Sequence, residues 1–413
     1  MVSTPNIRRV FKGDFSKLWL GQLISNFGDN FFYMGLMAMI LYTLNLEAAY
    51  LGLLMVMMAI PTLFFGPIAG SYVDRWNRKH VMVVSDILRG FIVLSLVFYH
   101  ELWYIYASIF LLATVSRFFY PAQSAIIPDI VEEDVLMSAN SLSQTTYMLS
   151  AILGPALGAS LIGFLGVDSV FLFDGISFFI SAVFIFSMRF DGIVEKKDNP
   201  QGVWKETWGG IKFAEKHPVI GKVILYVFVL MLFFGGFGPL YMIFIRDVLK
   251  MGLFQLGVLE GLQGVGSLVA SIVIGIVGSA FSKKSMVVGA NLTISSMVIL
   301  LVLFPYPWIA FQVLSFFGVG MVFFNTPLTT ILQEKSPDEI RGRVFGAFGA
   351  IMQVAALISM GVESVMADYI GVSMVMLSVG IMSLIFGILF FSSRKNREIF
   401  EQQPLSPEND DGT

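Results

Sequence analysis

Gly66-Pro67-Ile68-Ala69-Gly70-Ser71-Tyr72-Val73-Asp74-Arg75-Trp76-Asn77-Arg78-Lys79 ends an apolar stretch that begins near residue 48 and leads it into a short basic loop. Small residues such as Gly70 let a neighbouring helix approach closely. Asp74 suits the positive N-terminal end of a neighbouring helix. Arg75, Arg78 and Lys79 favour the cytoplasmic side of a bilayer. The segment reads as the inner end of a transmembrane helix, and the rest of the chain bears on that reading.

Composition agrees. Of 413 residues, 56% are apolar and 13% charged, against about 25% charged in soluble globular chains. One aqueous core cannot hide that much apolar surface. The net charge of −3 gives no footing for nucleic acid. Cysteine is absent, which excludes a disulfide framework, a thiolate metal site and a cysteine nucleophile. His80, His100 and His217 lie too far apart in sequence to suggest a metal site. No phosphate-binding loop, H-E-x-x-H or G-x-S-x-G is present, and each of those motifs carries a recognisable chemistry. No cofactor, no metal and no enzymatic activity are expected, and energy would come from an ion gradient or the substrate's own gradient rather than ATP.

About 20 apolar residues span a bilayer as a helix. Twelve such stretches can be drawn, at 16–43, 48–73, 80–99, 102–121, 138–166, 168–189, 220–247, 253–280, 284–304, 307–333, 343–368 and 371–393. The first follows Arg8, Arg9, Lys12 and Lys17 without a cleavage pattern, so it reads as a retained helix. With both termini cytoplasmic, the inside segments hold 22 of the 26 basic residues, which fixes the expected orientation. The expected organisation is an N-terminal six-helix bundle at 1–189, a cytoplasmic linker at 190–219, a C-terminal six-helix bundle at 220–393 and a cytoplasmic tail at 394–413. Within the linker, Trp204 to Phe213 has the pattern of an interfacial amphipathic helix.

The halves repeat weakly. Phe118-Phe119-Tyr120 and Ala122 to Ile126 fall on Phe324-Asn325-Thr326 and Leu328 to Leu332, and Glu132-Glu133 on Asp338-Glu339, all at an offset of 206. Gly70, Asp74, Arg78 and Lys79 fall on Gly275, Ser279, Lys283 and Lys284 at an offset of 205. Parallel repeats of this kind are one transporter plan.

The 66–79 segment resembles the loop 2–3 signature of the major facilitator superfamily, with Asn77 where a glycine is frequent. The resemblance implies an all-α membrane protein of twelve transmembrane helices in two pseudo-symmetric bundles. It also implies a conformational latch of Gly70, Asp74, Arg75, Arg78 and Lys79, with Arg78 pairing to Asp129 or a nearby acid. Arg117 is similar to the family's membrane-embedded arginine. Gly154-Pro155-Ala156-Leu157-Gly158 resembles a glycine-proline exporter motif, in which Gly154, Pro155 and Gly158 would act as hinge or packing residues. Leu18 to Ser25 with Gly28-Asp29, and Arg341 to Gly346, resemble the drug-exporting branch that includes macrolide-efflux and siderophore-export proteins. That branch implies proton-coupled antiport of amphipathic molecules by a multi-pass protein, expected to be a monomer, in a bacterial plasma membrane. Phe27 to Asn30, with Pro327-Leu328 and Leu332 to Glu334, also resemble lysophospholipid flippases, which implies a lipid-like substrate admitted from membrane lipid and sodium in place of protons. The sequence is also compatible with a siderophore exporter, a non-transporting receptor or scaffold, and a membrane-bound enzyme.

An ionisable group at the bilayer centre costs about 2.5–3.5 kcal/mol on insertion scales, so each one calls for a role. At 1.5 Å per residue, Asp29 lies roughly 16 Å deep and Arg117 roughly 21 Å from the outside. Asp29 is the first candidate for proton coupling, because an apolar site favours the neutral carboxyl and lets it load and release a proton. Arg117 is positioned to pair with it or tune it. Glu260 and Asp174, at shallower depth, follow. Asp86 and Arg89, spaced i,i+3, read as a self-neutralising structural pair. Asn26, Gln144, Asn325 and Gln353 are candidate substrate-binding residues.

Overall fold

The computed structural model describes residues 11, 13–73, 75–190, 203–337 and 340–401. Asp74, Asp338-Glu339, residues 191–202 of the linker and the tail beyond Glu401 lie outside the described residues. The described residues are helical and contain no strand. In chain order the helices are α1 (Asp14–Met37, continued by a π-helical stretch Ala38–Thr43), α2 (Ala48–Val73), α3 (Arg78–Ser95), α4 (Leu102–Ile130), α5 (Leu136–Leu165), α6 (Asp168–Phe186) and α7 (Val203–Lys216). Then come α8 (Pro218–Phe234), α9 (Phe237–Asp247), α10 (Leu253–Val277), α11 (Lys283–Leu303), α12 (Pro307–Lys335), α13 (Arg341–Ile370), α14 (Val372–Ser392) and α15 (Arg394–Glu401). Ten stretches are long and apolar enough to cross a membrane, with α8 and α9 counting as one. Helices α1 and α3 are not among them; they carry Asp29 and the Asp86–Arg89 pair. The stretch read as an interfacial helix is α7.

The repeat is sharper in structure than in sequence. Helices α2, α3, α4 and α5 start at 48, 78, 102 and 136, and α10, α11, α12 and α13 start at 253, 283, 307 and 341, each 205 residues later. Local chemistry repeats with them. The Asn77 side chain caps α3 by accepting from the His80 N–H, and the Ser282 side chain caps α11 by accepting from the Ser285 N–H. Arg78 donates to Asp129 at 2.5 Å, and Lys283 donates to Glu334 at the equivalent pair of positions. The Arg78 interaction expected for the latch therefore lies within the first half, tying α3 to α4.

The chain packs as two compact units, Met1–Val203 with Met242–Gly264, and Trp204–Tyr241 with Val265–Thr413. This division differs from the one expected from the repeat. Met242–Gly264 belongs with the first unit because Arg246 donates to the carbonyls of Leu41 and Leu46, and Tyr42 donates to that of Met251. Gly257 and Gly261 also bring α10 onto α5. A Cβ on either would lie 2.6 Å from the carbonyl oxygen of Pro155 or of Ile152.

In the first unit α1 packs on α6 through a glycine stripe, Gly21, Gly28 and Gly35. These face Ser181, Asp174 with Ser177, and Val170 with Phe171. Gly154 and Gly158 of α5 press on Asn30 and Phe31 of the same helix. The second unit is built round Tyr226 of α8, buried among Phe324, Phe386, Phe390, Phe391 and Phe400.

Asp14 fastens the two ends of the first six helices. Its carboxylate accepts the Phe190 N–H at 2.8 Å and the Lys17 ammonium at 3.1 Å. Burial alone would push this carboxyl up. The backbone N–H groups of Arg189 and Phe190 and the Lys17 charge outweigh it and hold it below the usual value. The ionised form is thus favoured in the folded state. The resulting stability is present above the unfolded pKa of about 3.9 and is lost as pH falls through the folded value. We predict that acidification from about pH 5 to about pH 3 lowers the melting temperature more in the native protein than in Asp14→Asn. Parallel curves in detergent would refute this.

Candidate functional site

The cavity system of the site is lined by four helices of the first unit, α1, α2, α4 and α5. Helix α4 presents Arg117, Tyr120, Gln123 and Ser124, one polar face at i, i+3, i+6 and i+7. Helix α5 presents Asn140, Ser143, Gln144 and Tyr147 at i, i+3, i+4 and i+7, and α1 adds Asn26. Together they enclose a cavity of about 680 Å³. A second cavity of about 250 Å³ adjoins it, and Arg117, Tyr120 and Tyr147 line both. Asp29, Asn30 and Tyr33 of α1 form the polar wall of the smaller chamber, with Ile109, Leu112 and Met58 on its apolar side. The combined size is in the range that holds a drug-sized ligand.

Behind Asp29 sits a charged cluster buried between α1, α3 and α6. Arg89 is 1% exposed and pairs with Asp86, which is fully buried. Its guanidinium lies between the rings of Phe119 and Phe178, at 4.1 and 4.3 Å from their centroids, an arrangement that favours a desolvated cation. Asp174 of α6 is also fully buried, and its Oδ2 finds no hydrogen-bond donor. It presses against Gly28, where a side chain would collide with it and with Ser177. Asp174 lies within electrostatic reach of Asp29, Arg89 and Asp86. Three carboxylates therefore share one guanidinium, and full ionisation leaves two negative charges in excess. Binding a proton relieves that excess, because like charges in low dielectric repel strongly.

The structure thus brings Asp29, Arg117, Asn26 and Gln144 to one cavity system and puts Asp174 behind it. The charged neighbours of Asp29 are Arg89, Asp86 and Asp174; Arg117 has no carboxylate within ion-pair distance among the described residues. Glu260, on the part of α10 that joins the first unit, reaches the site through Tyr33, with which it interacts electrostatically. Pro155 and the two glycines form the α5 wall against α1 and α10. Asn325 and Gln353 belong to the second unit and line neither chamber. Lys79 donates to the Met188 carbonyl at 2.6 Å, and Arg75 is exposed.

Sequence reasoning missed Tyr120, Gln123, Asn140, Ser143 and Tyr147, although their helical spacing was visible. It also passed over Glu363 of α13, which is 6% exposed with an unpartnered Oε2. Glu363 packs on Gly236 at the break between α8 and α9, where the Gly236 N–H donates to Ser359 Oγ at 2.9 Å.

Comparison with known proteins agrees with this architecture. The fold superposes on a crystal structure of the nucleoside transporter NupG with a TM-score of 0.75 at 11% identity, over 94% of this chain and 100% of that one. An uncharacterised MFS-type transporter, YfiS of Bacillus subtilis (strain 168), is 26% identical over 402 residues, 92% of this chain and 93% of its own. Macrolide efflux protein A of Streptococcus pyogenes is 24% identical over 383 residues, 88% and 91% of the two chains. The profile of the Major Facilitator Superfamily matches residues 18–360 and 223–409. With its all-α build, repeated halves and apolar spans, the chain belongs to the Major Facilitator Superfamily of multi-pass membrane transporters.

Proposed function

We propose that the chain exports amphipathic small molecules by proton-coupled antiport with alternating access, both termini being cytoplasmic. The observation that carries this reading is Asp29. It sits on a cavity wall with substrate-sized space on one side and a buried cluster of two carboxylates and one arginine on the other. A proton taken at Asp29 changes the charge balance of the cluster, and a substrate in the cavity meets the same side chain. Competition of proton and substrate for one region is the physical basis of exchange. The similarity to macrolide efflux protein A supports export and an amphipathic cargo. The basic 75–79 loop serves as the proposed latch, with Arg78 braced on Asp129.

Everted membrane vesicles containing the protein test the reading. Acidifying their interior should drive uptake of an amphipathic dye, and collapsing the pH gradient with nigericin should stop it. Uptake that survives the collapse, or follows a sodium gradient instead, overturns the proton assignment.

A further inference from the structure

Arg89, buried, and Arg117, half-buried, both lie on helices of the first unit and differ in their surroundings. Arg89 has Asp86 as a partner and two aromatic faces around it. Arg117 has neither. Its Nε is buried without an acceptor, and Tyr120 is its aromatic neighbour, with the ring centroid 5.8 Å away. A cation inside a membrane protein is costly and normally faces a partner or a water-filled cavity. Arg117 faces both chambers of the cavity system. Among the described residues it is the sole charged one in the lining of the larger chamber; every other polar side chain there is an amide or a hydroxyl.

We propose that Arg117 is an anchor for a monoanionic group, above all a carboxylate, carried by the transported molecule. This rests on the cavity being the substrate site, as proposed above, and it names the substrate class. The guanidinium fork matches a carboxylate with two parallel hydrogen bonds, and such charge-assisted bonds are roughly twice as strong as neutral ones. A single cation balances a single negative charge. A dianionic phosphate would leave excess charge, since no other cation lines the chamber. Tyr120 and Tyr147 flank the anchor and suit an aromatic or apolar body. Asn26, Asn140, Gln123 and Gln144 each offer a donor and an acceptor for its polar substituents. The cargo is therefore an amphipathic carboxylate or zwitterion. Arg117 acts in binding, and the proton-coupling role expected for it from sequence falls to Asp29 and the cluster behind it.

The test is equilibrium binding to the purified protein in detergent, read by fluorescence polarisation, with rhodamine B and with its ethyl ester. The two dyes share one body and differ in the free carboxylate. The native protein should hold rhodamine B at least about tenfold more tightly than the ester, a difference worth about 1.4 kcal/mol. Arg117→Met should bind the two dyes alike while keeping the native melting temperature, and Arg117→Lys should restore part of the preference. A native protein without preference, whether both dyes bind or neither does, overturns the proposal. So does a preference that persists in Arg117→Met. The readout is binding without any gradient, so failure of the proton-coupling reading leaves it unaffected, and failure here leaves the vesicle experiment unaffected.

Discussion

Replacing Arg89 by methionine is expected to destabilise the folded chain by about 3–5 kcal/mol, the usual cost of removing one partner from a buried ion pair. The methionine fills much of the space between Phe119 and Phe178, so packing is largely kept and the loss is electrostatic. Asp86 would be left fully buried beside Asp174 and Asp29 with no cation among them. The second half supplies the control. Positions 86 and 89 correspond to Asn291 and Ile294 at the 205-residue offset. There the layer is neutral: Asn291 donates to Ser383 Oγ at 3.2 Å and Ser295 donates to the same oxygen at 3.0 Å, all three buried. The pair Asp86→Asn with Arg89→Ile removes both charges, matching Asn291 and Ile294, and should recover most of the lost stability. Thermal unfolding in detergent measures both variants. If the double variant is as unstable as Arg89→Met alone, the cost arises from packing around the two phenylalanines and the electrostatic account fails.

The same comparison gives the charged cluster its meaning. One fold contains the equivalent helix interface twice, and the second copy is held by an amide and two hydroxyls. The charges of the first copy are therefore not demanded by packing. In sequence Asp86 and Arg89 looked self-sufficient, because i,i+3 spacing explains a pair without any third party. What makes them part of a larger group is the approach of α6 to α1, which depends on Gly28 leaving room for Asp174. No local pattern announces that contact, since a glycine stripe spaced by seven has several uses. Ten of the twelve expected spans and the repeat were legible, because hydropathy acts through sequence position alone. The partners of the charged residues were not legible, because partnership is decided by which helix faces meet. Glu363 was overlooked for a related reason. Its burial depends on packing against Gly236 at the break between α8 and α9, a contact between distant segments of the chain.

Asp29→Asn is expected to abolish gradient-driven accumulation while leaving substrate exchange in place. Asp86 and Asp174 are wholly enclosed, so Asp29 is the member of the cluster that meets the cavity. An asparagine there has the shape and charge of the protonated carboxyl and cannot release a proton. The cluster is then held in its proton-loaded charge state whatever the gradient. Substrate can still enter, bind and leave, since Arg117, Tyr120 and the amides of α4 and α5 are untouched. In reconstituted vesicles the accumulation ratio under a pH gradient should fall at least about tenfold, equivalent to about 1.4 kcal/mol of coupling lost. Counterflow of labelled against unlabelled dye, which needs no proton, should continue. Full accumulation by the variant would remove Asp29 from the coupling step. Loss of counterflow together with accumulation, in a protein of native melting temperature, would instead make Asp29 a substrate ligand. These outcomes separate the two roles that its place on the cavity wall permits.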